Sequence, residues 1–279
     1  MLTQDQKGAA FAELHQRPGT FIIPNPWDTG SAVLLARLGF EALATSSAGY
    51  AFSLGKRDNE VGRGGTLGHA AALAVATDLP ISIDLENGFG DEPEIVAETI
   101  RLAATTGAVG GSIEDATGRY DDPIYERELA VERVRAAAEV VSDLPFPFML
   151  TARAENYLAG NPDLKDTIER LQMYQEAGAD VLYAPGLTSK DDIATLVSSV
   201  DRPVNVLMGL KGVEISLAEL AAIGVKRISI GSGLARCAFG SFLRAAREML
   251  AHGTFTFAED AVPYRELNSL FEPRINADS

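Results

Sequence analysis

Short apolar runs alternate with amphipathic stretches along most of this chain, and one phrase recurs where they meet. ARLGF, ATTGAVG, QEAGAD and AAIGVKR each read as a helix end, a glycine stop and the first residues of a strand. Eight strand candidates follow in order: Phe21–Pro24, Ala42–Ser47, Ile81–Glu86, Gly110–Asp115, Phe148–Glu155, Val181–Pro185, Pro203–Met208 and Arg227–Gly231. Each is short and largely apolar, as suits a strand covered on both faces. Helical spacing is read over 3–16, Ser31–Leu38, Glu94–Ala104, Glu128–Val141, Leu164–Ala177, Leu217–Ile223 and Leu234–Ala251, with a last short helix at Pro263–Leu270. An open doubly wound sheet shares this alternation. Eight units without a second-domain signal favour a closed (β/α)8 TIM-type barrel, α/β in class. A length of 279 residues suits one such barrel, which needs roughly 250. The expected division is a single domain over 1–279, with a barrel core at 18–232 and an extra C-terminal helix and tail at 233–279.

Composition narrows the partners. Lysine and arginine number 24 against 39 aspartates and glutamates, a formal charge of −15. No basic stripe stands out, so a nucleic-acid partner is not expected. No apolar run reaches the ~18 residues of a membrane span, and MLTQDQKGAAFAELHQ lacks the layout of a signal peptide. A cytoplasmic location is the expectation, without a membrane partner. The single cysteine, Cys237, excludes an intrachain disulfide and reads as a small packing residue. His15 and His252 fall near helix ends and are expected exposed, while His69 is expected at a helix start.

Barrels of this type carry their chemistry at the C-terminal ends of the strands. There the chain places Ser46-Ser47-Ala48-Gly49, Asp84-Leu85-Glu86, Glu114-Asp115 and Thr151-Ala152-Arg153-Ala154-Glu155, while the opposite ends read as apolar or glycine-rich. A period of two puts Asp84 and Glu86 on one face, and likewise Thr151, Arg153 and Glu155. If that face is the interior, Asp84, Glu86, Glu114 and Arg153 converge. Three close carboxylates repel unless protonated or neutralised, and a hard ion such as Mg2+ takes oxygen ligands while keeping several waters. A salt-bridge cluster at the rim is the structural alternative. Arg153 has a fork suited to a substrate carboxylate. Asn205 reads either as a substrate donor or as a satisfied buried amide. Residues 50–68, rich in glycine and carrying Asp58, read as a long loop of lid type.

At these residues the chain resembles the isocitrate lyase / phosphoenolpyruvate mutase superfamily. The resemblance runs from about Phe21 to Gly240 and rests on TSSAGYAFSLGKRDNE, SIDLENGFGD, GSIEDATGRYDD, and TARAENYLAG with YQEAGADVLYAPG. It implies a Mg2+-dependent barrel, with Mn2+ as the substitute ion, acting on a 2-oxo or 2-hydroxy acid through an enolate-like state. It implies that Ser46, with the backbone at Ser47 and Ala48, holds substrate oxygens, and that Asp58 is the loop acid near the reacting bond. Asp84 takes the place of the direct metal ligand, Glu86 that of a second metal acid, usually aspartate, and Glu114 that of an acid reaching the ion through water. Arg153 takes that of the substrate-gripping arginine.

Departures from the family pattern bear on the reaction. The isocitrate and methylisocitrate lyases carry a lysine- and cysteine-bearing loop after strand four, where this chain reads Ala116-Thr117-Gly118-Arg119-Tyr120-Asp121-Asp122. A glutamate after strand six is replaced by Ala184-Pro185-Gly186. The phosphonate mutases' lysine- and asparagine-bearing gate is absent too, with Arg119 as a stand-in cation. The expected function is Mg2+-dependent cleavage of a C–C bond in a small 2-oxo or 2-hydroxy (di)carboxylate. The alternatives are P–C chemistry, as in phosphoenolpyruvate mutase or phosphonopyruvate hydrolase, and a non-catalytic metabolite-binding barrel. The apolar repeat in 234–251 and an aromatic tail predict a homodimer or homotetramer, the family's paired barrels commonly exchanging this helix.

Overall fold

The computed structural model describes residues 2–272. Helix α1 (Gln4–Gln16) leads in, capped by a reciprocal pair of hydrogen bonds between Thr3 and Gln6. Strands β1 (Phe21–Ile23), β2 (Leu43–Ala44), β3 (Ile81–Asp84), β4 (Gly110–Glu114), β5 (Met149–Arg153), β6 (Val181–Tyr183), β7 (Val204–Leu207) and β8 (Arg227–Ser229) sit inside the eight expected runs. Between them lie α2 (Thr29–Arg37), α3 (Ser47–Ser53), α4 (Arg63–Ala76), α5 (Pro93–Ala104), α6 (Arg127–Ser142), α7 (Leu164–Glu176), α8 (Lys190–Ser198) and α9 (Leu217–Ala222). After β8 come α10 (Gly233–His252), a short 3-10 turn and α11 (Tyr264–Phe271). Residues 273–279 of the expected tail lie outside the described residues.

All pairings are parallel and run β1-β8-β7-β6-β5-β4-β3-β2. The seam between β1 and β2 is closed by the Ala44 N–H donating to Pro24 O at 3.1 Å. Asn25, just after β1, ties that strand's end to both neighbours, β2 and β8. Its Nδ2 donates to Thr45 O at 3.0 Å, and its Oδ1 accepts from the Ile230 N–H at 2.9 Å. The result is the expected (β/α)8 barrel.

Two apolar layers hold it. The larger lies between strands and outer helices, where Ile81, Ile83, Leu150, Leu182, Val204 and Val206 meet Val96, Ile100, Val134 and Leu171. The smaller plugs the bottom, where Phe11 and Leu14 of α1 meet Phe21, Ile23 and Val109. Gly110 makes room for the plug, since a Cβ there would stand 2.8 Å from the Phe11 ring. Fully burying a side chain such as Phe11 contributes on the order of 1.5–3 kcal/mol.

Several expectations change here. His15 lies on the inner face of α1, 6% exposed, edge-on to Phe11 and Phe21, because α1 closes the barrel instead of lying free. His69 is buried within α4 and stacks on Tyr50 at 3.8 Å, well past the helix start. The loop expected over 50–68 is mostly helical, since α3 and α4 leave only 54–62 irregular. Cys237 is exposed on α10, a helix whose only buried residue is Ala235. The barrel bottom is not purely apolar, because Arg227 opens β8 and is buried there.

Candidate functional site

A cavity of about 160 Å³ enters the barrel at the C-terminal strand ends. The β2 end turns into α3 at Ser46, whose Oγ accepts the Gly49 N–H at 3.2 Å. This is ordinary N-capping, and it delivers Ser46, Ser47 and Ala48 to the cavity wall. The Ser47 N–H donates to Asp84 Oδ2 at 3.1 Å. Thr45 fixes Asp84 from behind, its Oγ1 accepting the Asp84 N–H at 2.8 Å. Asp84 is therefore held by the β2 end as well as by its own strand.

Arg153 ends β5 directly opposite Glu114 of β4. Its three guanidinium nitrogens reach three carboxylates: Nη1 to Asp84 Oδ1 at 3.0 Å, Nη2 to Glu114 Oε2 at 3.0 Å and Nε to Glu155 Oε1 at 2.7 Å. It also stands 5.2 Å from the centre of the Tyr183 ring. The fork read as a substrate grip is thus occupied by the chain's own acids. Glu155 shares that face in the sequence but carried no assigned role, and its partner became apparent only with β5 in place. Its backbone is set in turn by Asp115, which points to the helix side. Asp115 Oδ1 accepts the Glu155 N–H at 2.8 Å, and Oδ2 accepts from Tyr174 Oη at 2.6 Å and Arg170 Nη1 at 3.1 Å.

Glu86 departs from strand periodicity. β3 ends at Asp84, and Glu86 has φ 50°, the left-handed region that a non-glycine residue seldom occupies. The turn is clamped from outside by the buried Arg133, which donates to Asn87 O and, at 2.6 Å, to Gly90 O. Ser46, Ser47, Ala48, Asp58, Asp84, Arg153 and Asn205 line the axial cavity. Glu86 and Glu114 instead line a neighbouring, more open cavity of about 670 Å³ with Asn59, Asn87 and Thr117. The expected convergence on one face is therefore split, with the Arg153 guanidinium between Asp84 and Glu114.

Charge is concentrated at this divide. Burial, then Asp84 and Asp58, push the Glu86 carboxyl up to about 7. Burial raises Glu114 well above the usual range, and raises Glu155 too, despite the opposing pull of Arg153. Burial works against the Arg153 charge, but Glu114, Glu155 and Asp84 more than offset it. Asp58 is an exposed loop residue; desolvation of its carboxyl against the cavity wall raises it, and the Ser47 side chain opposes that shift.

Asn205 is a buried amide with both ends engaged: Nδ2 donates to Ser229 Oγ at 2.9 Å and Oδ1 accepts from Arg227 Nε at 2.9 Å. Arg119 is paired with Asp91 at 2.8 Å and Asp122 at 3.1 Å, so it is not a free cation. Asn25, Thr45 and Arg227 carried no sequence signal beyond residue type.

Three carboxylates, Asp84, Glu114 and Glu155, share one guanidinium, and a fourth, Glu86, stands nearby without an ion-pair partner among the described residues. Such an excess of buried negative charge is costly unless a cation or protons offset it. The donor set is all oxygen, the chemistry of a hard divalent ion. Among the described residues no three of these groups stand ready to ligate an ion directly. What fits such an ion is the oxygen-only donor set and the surplus of carboxylate over guanidinium.

Comparison with known proteins shows the family to which the chain belongs. The family model described as phosphoenolpyruvate phosphomutase matches residues 11–250. The 2-methylisocitrate lyase of Escherichia coli (strain K12) is 30% identical over 213 residues, 71% of this chain and 68% of that protein. A solved structure of a proposed lyase/mutase from Burkholderia cenocepacia J2315 is 62% identical with a TM-score of 0.95, covering 97% of each chain. A phosphonopyruvate hydrolase solved with oxalate and Mg2+ shares the fold at TM-score 0.82 and 22% identity, over 96% of this chain and 95% of that one. The chain therefore belongs to the phosphoenolpyruvate phosphomutase family and, with it, to the lyases and mutases of the isocitrate lyase / phosphoenolpyruvate mutase superfamily.

Proposed function

We propose that this chain is a divalent-metal-dependent enzyme that cleaves a C–C bond in a small 2-oxo or 2-hydroxy dicarboxylate. The observation that carries the reading is the axial cavity in which Ser46–Ala48, Asp58, Asp84 and Arg153 meet beside an excess of carboxylates. Asp84 would hold the ion, Mg2+ or Mn2+, with Glu86 and Glu114 reaching it through water. A bound ion there supplies Lewis-acid polarisation of substrate oxygens.

Breaking a C–C bond next to a carbonyl leaves an electron pair that appears as charge on the carbonyl oxygen. The Ser46 hydroxyl proton and the Ala48 N–H are the donors assigned to that oxygen, fixed in advance by the cap of α3. Ser47 has its N–H on Asp84 and lines the same cavity wall as Asp58, so it stands between the metal acid and the loop acid. Asp58, its carboxyl raised by desolvation against the cavity wall, takes or returns the proton at its carboxylate. Arg153 anchors a substrate carboxylate by sharing its fork with Asp84, Glu114 and Glu155 or displacing one of them. Without a cysteine after β4 or a glutamate after β6, the site is poorly suited to a tricarboxylate. P–C chemistry is the second reading, favoured by the description of the matching family model.

A homo-oligomer belongs to the same proposal. On α10, Phe242 is 66% and Leu250 91% exposed, an apolar stripe the chain's own barrel leaves open. That helix meets α3, which carries the site's serines, while α11 returns to α2. The proposed location is the cytoplasm, in keeping with the lack, among the described residues, of a helix long and apolar enough to cross a membrane.

Calorimetric titration with oxalate tests the site. Oxalate should bind with Mg2+ present, lose affinity in EDTA, and lose it again in Asp84→Ala while that variant still unfolds cooperatively. Equal binding with and without metal would contradict the assignment.

A further inference from the structure

The floor of the axial cavity holds a positive charge that no carboxylate answers among the described residues. Arg227, the first residue of β8, is 5% exposed and lines the cavity. Its Nε donates to Asn205 Oδ1 at 2.9 Å, its Nη2 to Thr151 Oγ1 at 3.0 Å, and its Nη1 meets His15 Nε2 at 3.3 Å. All three partners are uncharged. His15 Nδ1 lies 2.8 Å from Phe11 O, so Nδ1 carries the proton and Nε2 accepts. Burial and the neighbouring Arg227 charge keep that imidazole neutral.

A guanidinium has five N–H donors. The three contacts leave two without a protein acceptor among the described residues. Buried charges are normally paired, because leaving water costs several kcal/mol per ion. Among the described residues two guanidinium groups line this cavity, and Arg153 already has three carboxylates. Arg227 is the one whose charge remains to be met.

Its position suggests by what. Thr151, which Arg227 touches, is two residues before Arg153 on the same face of β5, so the two arginines address levels roughly 6.6 Å apart along the strand. Ser82 and Ser112 also line this cavity, offering hydroxyls. The mouth thus suits a cation with one carboxylate, and the floor suits a second carboxylate.

We propose that Arg227 determines specificity by binding the second carboxylate of the substrate, so that the site selects four-carbon diacids over monoacids of equal length. The inference rests on the proposed function, which assigns the first carboxylate to the mouth. It is tested by calorimetry on the full chain with saturating Mg2+, using oxalate, racemic malate and racemic 2-hydroxybutyrate. Malate should bind the wild type roughly ten- to hundred-fold more tightly than 2-hydroxybutyrate, the range expected for hydrogen bonds to charged groups. In Arg227→Gln that ratio should fall towards one, with oxalate affinity kept as the sign of an intact mouth. Arg227→Lys should keep part of the preference. An undiminished ratio in Arg227→Gln overturns the inference. So does a wild type without the preference, a result that needs no variant to fold. Oxalate that binds without any diacid preference overturns the role of Arg227 alone, whereas failure of oxalate to bind overturns the site reading and this inference together.

Discussion

His15 makes a prediction about stability that can be worked through. The ring is buried under the barrel, and burial first, then Arg227, lower its value from 6.5 to about 3. Protonation therefore favours the unfolded chain. The stability it secures is complete above pH 6.5 and is lost as pH falls towards 3. Full linkage at 1.36 kcal/mol per unit would approach about 5 kcal/mol, of which roughly 2 kcal/mol is lost between pH 8 and pH 5. Other groups titrate in the same window, so the quantity to read is the difference between wild type and His15→Gln, which leaves a neutral side chain that cannot titrate there. Urea unfolding at both pH values, compared at equal slope, gives that difference. The wild type's stability relative to the variant should drop by roughly 2 kcal/mol on moving to pH 5. A difference that stays constant would refute the placement of a neutral His15 against Arg227.

Two further substitutions probe the scaffold and the chemistry. Arg170→Met strands Asp115, which is 2% exposed and sets the Glu155 backbone, so urea unfolding should show a loss of about 3–5 kcal/mol. Adding Asp115→Asn should recover part of that loss, and no recovery would mean the charge is not the cause. Asp58→Asn should lower kcat by about 10²–10⁴-fold while metal-dependent oxalate binding persists; unchanged turnover would remove Asp58 from the proton transfer.

Much of the architecture is legible from the sequence because its signals are local. Glycine stops and short apolar runs place all eight strands, and the strand-end rule points to Ser46, Asp84, Glu114 and Arg153 before any coordinates. What escapes depends on contacts distant in sequence. His15 is buried because α1 plugs the barrel 212 residues away from Arg227, which no periodicity encodes. Glu86 leaves the face shared with Asp84 because the strand ends two residues early and Arg133 clamps the turn. The 50–68 segment resembles a loop because of its glycines, yet Gly64, Gly65 and Gly68 sit inside α4. Cys237 follows the usual habit of buried thiols in expectation, but α10 projects from its own barrel and leaves it exposed.

The central claim is metal-dependent C–C cleavage of a small diacid. Turnover of a panel holding oxaloacetate, 2-alkylmalates, isocitrate, methylisocitrate and phosphonopyruvate, each with Mg2+ and with EDTA, tests it most directly. The account predicts cleavage of oxaloacetate or of at least one 2-alkylmalate at about 1–10³ s⁻¹ with Mg2+, none in EDTA, and negligible isocitrate or methylisocitrate cleavage. Turnover confined to phosphonopyruvate, cleavage that survives EDTA, or robust tricarboxylate cleavage would contradict it.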